Sequence, residues 1–512
     1  MTTPKALGTM FCLSMLFILS RAAPAPPGPA GLETAVRQGE EEESACSLYK
    51  DLNIEEWNNR IRQEKFDIIL PQVMRRNHID MWIYVARESI PDPFATEELG
   101  SSSGVFVFTD RGGDRIERAV LGRRWGESHR GWGEWKTKLV EECGLYDIIG
   151  DPVRVQEPVG GPLSEYDYRF KGLREFVVAR NPQRIAVNFK HDLGPWVTYI
   201  QARDGISHTD YVLLTEELGP EYASRLVSDE YLRMDYIIRT VPSEVKLLKL
   251  MRRDEVECVK KVFSEIVPGV TKTRELGERG NGEVDIVVFR RMKTGLSQRG
   301  RSRGWENSVV QGGDIVAAPS QGMFAYVLHE GETEPPAEIK KLWEEYLKIE
   351  KILAETIKAG LTPHEIIQAY EQKFEEAGII VRDNQMHMIR PKNNWPVYSA
   401  GYEPGKTHLS LDCHGMKKGA LSRKRENYFS PRIGSLGPDW TKHIPLPPNH
   451  HFVLEYFFYM PSPTPDKQED QYLLWWNHEQ ALATSGGVEY LSRPQKELYL
   501  IPYPSQNREP GQ

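Results

Sequence analysis

Two amphipathic helices, one directly after the other past the middle of the chain, constrain the fold more than any other feature. Residues 337 to 359 put Ile339, Leu342, Tyr346, Ile349, Leu353 and Ile357 on one face at helical spacing. Gly360 stands in the usual stop position for that helix. Thr362-Pro363-His364-Glu365 starts the next, with Thr as N-cap, Pro at the first helical position and Glu completing a capping box. The second helix is expected to reach about Ala377. Each helix carries an apolar stripe that needs a partner layer. Beyond 390 the chain turns to β character, with His451 to Tyr459 the longest strand-like run. Long helices beside such strands predict an α+β domain.

Upstream, Ser243 to about Ile266 reads as a long helix, broken by Pro268-Gly269-Val270-Thr271. Before it, residues 48–240 alternate helix and strand. Asn53 to Asn77 is amphipathic, with Ile54, Trp57, Ile61, Phe66, Ile69 and Val73 near helical spacing. Asp80 to Ala86, Gly104 to Phe108 and Arg184 to Asn188 are short β-rich runs. Strands separated by helices predict an α/β domain with a mixed sheet over 48–240, followed by a second domain over 241–512.

The first 22 residues read as a cleaved signal peptide: Lys5, an apolar stretch from Leu7 to Leu19, then small residues at Ser20 and Ala22 around Arg21. The stretch is short for a membrane span of about 20 residues, although an uncleaved signal anchor is the alternative. Residues 23–47 are Pro/Gly/Ala-rich and then acidic, a flexible leader. The mature chain is expected in a secreted or periplasmic compartment, with no later segment apolar enough to span. Cys46, Cys143, Cys258 and Cys413 allow three disulfide pairings, among which the sequence does not choose. With 65 Lys and Arg against 73 Asp and Glu, the formal charge is -8, and no basic stripe marks a nucleic-acid binder.

Several modest signals then fall in one order: the 268–271 turn, Gly313-Asp314-Ile315-Val316, Ala325 to Glu332, and the helix pair. From about 48 to 502 this resembles the metallopeptidase family of Xaa-Pro aminopeptidases, prolidases and creatinase. The resemblance implies a creatinase-like α/β N-terminal domain followed by an α+β pita-bread catalytic-type domain. It implies two divalent ions (Mn, Zn or Co) held by two Asp, one His and two Glu. It also implies peptide substrates cut next to proline, and members that are often homodimers. Two ions held by bridging carboxylates acidify a shared water and polarise the scissile carbonyl.

Three residues match ligand positions of that family. Glu455 is a lone carboxylate in an apolar strand, costly unless paired or metal-bound; a solvent-facing Glu on an edge strand is the alternative. Glu479, before the Gly486-Gly487 turn, matches the last ligand or is an ordinary strand-end Glu. His414 ends the β-like run Leu409 to Gly415, or stands in a surface His-Gly turn. The two Asp positions are not filled. Gly313-Asp314-Ile315-Val316-Ala317-Ala318 leads to Pro319, and Ser320 to Phe324 then runs straight into the next strand. The hairpin reads as shortened, Asp314 matches a turn residue of the family rather than a ligand, and Glu330 and Glu332 are weak substitutes. The polar, basic flanks of Val284 to Phe289, within 279–303, also depart from the family; either catalysis was lost or an exon between 275 and 320 is misassembled.

The expected metal ligands are therefore His414, Glu455 and Glu479, enough for one ion with a water, with no further residue assigned to catalysis. Two functions remain open. One is an exported peptidase of Xaa-Pro type with impaired two-metal activity, and the other a non-catalytic member that binds peptides or a partner protein. Trp475-Trp476 and the aromatic cluster at 456–459 read as core, and His450-His451 as a loop pair.

Overall fold

The computed structural model describes residues 46, 48–87, 92, 94–122, 144–150, 169–191, 205–280, 284–292, 295–301, 307–382, 403, 405–418, 424–427, 431–434, 439–461 and 472–504. The expected signal peptide, nearly all of the leader, and Cys143 lie outside them. Residues 44–512 form one unit of packed chain. Among the described residues no helix is long and apolar enough to cross a membrane.

The described strands make two sheets, of six and twelve strands. The first comprises β1 (Met81–Ala86), β2 (Gly104–Asp110), β3 (Ile116–Leu121), β4 (Ile148–Ile149), β5 (Ile185–Val187) and β6 (Leu226–Ser228), in spatial order β4-β3-β2-β1-β5-β6. The hairpin-linked neighbours β1–β2 and β2–β3 are antiparallel. β5–β6, consecutive strands with helix His208–Ala223 between them, and β1–β5, distant in the chain, are parallel, as the mixed α/β reading expects. The amphipathic stretch forms Ile54–Glu64 and Leu70–Arg76, with a wider π-type turn at Lys65–Ile69 between them. It buries Phe66, Leu70 and Val73 against Trp82 and Phe108.

Helix Pro242–Ser264 leads from the first sheet into the second. Its Cys258 is bonded to Cys46, 212 residues earlier in the chain, while Cys413 is a buried thiol. The second sheet contains β7 (Val287–Met292), β8 (Gly295–Arg301), β9 (Ile315–Ala318), β10 (Met323–Val327), β11 (Ile379–Arg382), β12 (Thr407–Leu411), β13 (His414–Lys418), β14 (Lys424–Asn427), β15 (His450–Pro461), β16 (Tyr472–Thr484), β17 (Gly487–Tyr490) and β18 (Tyr499–Ile501). Its main path runs β11-β12-β15-β16-β8-β7-β9-β10-β18. The basic stretch 295–301, which the sequence left without an element, is thus β8, paired antiparallel to β7 with an irregularity at Val288/Phe289.

The helix pair covers one face of this sheet. Ile339, Leu342, Tyr346, Ile349 and Leu353 pack with Phe324, Leu454, Tyr456, Phe458 and Trp475. Burial of apolar surface is worth about 25 cal/mol per Å², so this stripe stabilises the layer. The capping box forms as read: Thr362 Oγ1 accepts from Glu365 N at 3.2 Å, and Glu365 Oε2 accepts from Thr362 N at 2.8 Å. The first helix ends earlier than its stop signal. It runs Ala337–Thr356, Ile357 is extended, and Gly360 supplies a left-handed turn (φ 91°) in the connection instead of the cap. There Ala359 N and Gly360 N donate to Thr484 O and Leu446 O, so cross-layer bonds replace the last helical turn.

Candidate metal centre

β15 and β16 pair antiparallel along the whole of β15, and this ladder positions the site. Glu455 stands across from His478, Leu454 across from Glu479, and Tyr456 across from Asn477. Because side chains alternate between faces, cross-strand partners share a face and sequence neighbours do not. Leu454, Tyr456 and Phe458, with Trp475 and Ala481, meet the helix pair. Glu455 and His478 therefore look out from the other face. β13 adds His414, paired with Val453 and on the same face as Glu455.

The ligand atoms of His414, Glu455 and His478 all lie within 4.8 Å of one another. His414 is fully buried, Glu455 nearly so and His478 half-buried. His414 Nε2 is 3.3 Å from Glu455 Oε2. On the ring's far side Nδ1 is 3.2 Å from Gly415 O, which sets the tautomer with the proton on Nδ1. That leaves the Nε2 lone pair facing a carboxylate oxygen in a buried place. Two acceptors at that spacing repel unless a proton or a cation lies between them. Two imidazoles and one carboxylate make a three-ligand set suited to one divalent ion with an open position. The half-buried His478, its ring 5.8 Å from that of His414 and 6.1 Å from that of Trp476, marks the open side. Beneath, the Arg432 guanidinium clamps Asp412 in a buried two-pronged pair, and Asp412 N donates to Glu455 O at 2.9 Å. This locks β13 to β15 and fixes the His414–Glu455 spacing.

Of the three residues expected as ligands, the structure brings His414 and Glu455 together and leaves Glu479 on the opposite face. There Glu479 lies over Gly322, whose own Cβ, were it present, would collide with Glu479 Oε2. Burial pushes the Glu479 carboxyl well up from the ordinary range, the Glu350 carboxylate adds to this, and Arg252 partly offsets it. Glu350 itself accepts from the hydroxyls of Tyr456 and Tyr490 and from Asn477 Nδ2 at 3.1 Å, yet burial still raises it. His478 was missed because its neighbour is a carboxylate. The odd-numbered apolar residues Leu473, Trp475, Ala481 and Ala483 were the signal, since they assign 479 to the core face and 478 to the other.

β9 and β10 pair from Met323↔Ala318 outward across a tight Pro319–Gln321 turn. Residues 315–329 contain no Asp or Glu, so no bridging carboxylate stands there for a second ion. Asp314 is instead held by Arg290, whose Nε donates to Oδ1 at 2.7 Å, and by Gln311 N at 2.8 Å. His450 and His451 begin β15 and are buried; His450 Nδ1 lies 3.0 Å from Ile238 O and His451 Nε2 lies 3.2 Å from Gln480 Oε1, so they are not a loop pair.

No protein-family model and no curated protein matches the sequence. Among solved structures, the chain is similar to an X-Pro aminopeptidase from Thermotoga maritima, at 13% identity over 84% of this chain and 100% of that one, with a TM-score of 0.49. It is also similar to a Xaa-Pro dipeptidase from Bacillus anthracis, at 16% identity over 87% and 100%, TM-score 0.45. A prolidase from Pyrococcus horikoshii is similar at 13% identity over 85% and 99%, TM-score 0.45.

Proposed function

We propose that this chain is an exported metallopeptidase-like protein of the Xaa-Pro peptidase type, reduced to a single metal ion held by His414, Glu455 and His478. The observation that carries this reading is the convergence of those three ligand atoms within 4.8 Å on one sheet face. A divalent ion held there would acidify a bound water and polarise a peptide carbonyl. The chain's own part is to orient: Gly415 O fixes the His414 tautomer, and the Asp412–Arg432 clamp holds the strand beneath. Trp476, stacked on Phe457, walls the open side, where a proline ring would rest. Peptides bearing proline are thus the expected ligands, and a homodimer the expected assembly. Export is supported by the apolar N-terminal stretch and by the Cys46–Cys258 disulfide, a bond that persists in oxidising compartments.

The acid-free β9–β10 hairpin favours a second reading, a non-catalytic member that keeps the cleft for peptide or protein binding. Metal analysis of the purified protein by mass spectrometry, with Xaa-Pro dipeptides assayed in added Mn, Zn and Co, tests both. About one ion per chain with slow cleavage supports the first. Two ions per chain would overturn the single-ion site, and none with no cleavage leaves the binding module.

A further inference from the structure

β18 ends the main path of the second sheet, with β10 on one side and no described strand on the other. Ile501 O accepts from Leu328 N at 2.9 Å, so the backbone of Ile501 is turned toward β10. The residue before it, Leu500, turns its N–H and C=O the other way, because successive residues of a strand aim their bonding groups to opposite sides. Those two groups stand on an open edge. Sheets usually blunt such an edge with charged side chains or a bulge. Tyr499-Leu500-Ile501 holds no charge, and Pro502 and Pro504 only keep it short.

The surroundings are apolar. Of the nine large apolar residues exposed among the described residues, five gather here: Val267, Val270, Tyr499, Leu500 and Tyr503. A Cβ on Gly269, in the Val267–Val270 turn, would lie 3.7 Å from Tyr503 Oη, and the Phe263 ring is 6.3 Å from that of Tyr499. The other four stand one each on four helical segments of the first sheet. Single exposed residues of that kind are ordinary, whereas a contiguous patch marks an interaction surface.

Charge at the two ends of the strand says what covers it. Before β18, Arg493 and Lys496 are exposed and only Glu497 opposes them. Past its other end comes the loop after β10, since Val327 lies beside Ile501 in a parallel pair. That loop carries Glu330, exposed, and Glu332. An apolar strand with a basic start and an acidic finish is complementary to itself when turned end for end, the condition for a two-fold interface. We propose that β18 pairs antiparallel with β18 of a second copy of this chain about an axis at Leu500, so that the two large sheets run on as one. Leu500 then exchanges both backbone bonds with the partner's Leu500, and Lys496 is set toward the partner's Glu330. The bonds fix the register, and the apolar patch supplies most of the stabilisation. This gives the expected homodimer an interface that rests on β18 and not on the metal site.

Sedimentation velocity of the full chain over a range of concentrations reads the assembly, and a dimer should form. Leu500→Arg, at an exposed position outside every core cluster, sets two cations opposite each other and should weaken the dimer about tenfold or more. Lys496→Glu should weaken it about twofold to tenfold by turning acid toward acid, and the exchange E330K/K496E should restore it. On mild oxidation Leu500→Cys should crosslink to its own copy, because opposed hydrogen-bonded residues of antiparallel strands stand about 5.5 Å apart, within the span of a disulfide. Val212→Cys, equally exposed on helix His208–Ala223, should not. His478→Ala should dimerise like the parent while losing metal, which separates this interface from the metal reading. A monomeric full chain, a dimer untouched by Leu500→Arg, or a dimer in which Leu500→Cys stays uncrosslinked would each overturn the assignment. A chain ending at Pro504 that dimerises where the full chain does not would make residues 505–512 the occupant of the edge, and would overturn it as well.

Discussion

Glu455 faces His478 directly across the β15–β16 ladder, while Glu479, one residue further along, turns its carboxyl to the opposite side of the sheet. That one-residue distinction decides which side chains can share an ion.

Metal retention should follow the face and not the sequence neighbourhood. His414→Ala, Glu455→Gln and His478→Ala should each weaken binding of a divalent ion by at least the ten- to hundredfold typical of lost support around such sites. Glu479→Gln should leave it unchanged. Competition with a fluorescent chelator reads this directly, and equal loss in all four variants would refute the single-face site.

The Asp412–Arg432 pair is buried, both members being under 5% exposed. Arg432→Met should destabilise the protein by about 3–5 kcal/mol, because it strands a carboxylate in the interior. The double variant D412L/R432M should recover most of that in stability while still weakening metal binding, since β13 loses its clamp. Thermal unfolding with and without added Zn distinguishes the two effects.

His450 predicts acid sensitivity. Burial holds its ring down at about 4, against an ordinary value near 6.5. The unfolded chain therefore takes up this proton first, and the stability it contributes is fully present above about pH 6.5 and is lost as the pH falls toward about 4. The span is worth about 3 kcal/mol. His450→Asn keeps a donor for Ile238 O and removes the titration, so its melting temperature should fall less than that of the parent between pH 6.5 and 4; parallel curves would refute this.

Gly322→Ala should cost roughly 1–2 kcal/mol for a left-handed non-glycine, and more because the new methyl must displace the Glu479 carboxyl. Urea unfolding measures it. Glu479→Ala in the same background should relieve the clash, so that the two effects are less than additive.

Much of this was legible beforehand. Glu455 stood out as a lone charge in an apolar run, His414 as the end of a β segment, and the Thr362–Glu365 box as a helix start, because each is a local signal. His478 was hidden by a rule that is not local: which face a residue takes depends on the register of the partner strand, and a carboxylate next door drew attention to the wrong position. β8 was missed for a related reason. Its residues are polar and basic, and they form a strand because β7 offers open backbone groups to pair with, not because their own pattern demands it. The end of helix Ala337–Thr356 was likewise set by Leu446 and Thr484 across the layer, which no reading of the helix alone would weigh.

The bond between Cys46 and Cys258 encloses every strand of the first sheet in one covalent ring. A protease that nicks this ring once, anywhere from 47 to 257, leaves a two-chain molecule that travels as one piece until it is reduced. Maturation by internal cleavage would therefore be silent on a non-reducing gel and plain on a reducing one, and the first sheet would stay tethered to helix Pro242–Ser264 after its peptide connection had been cut.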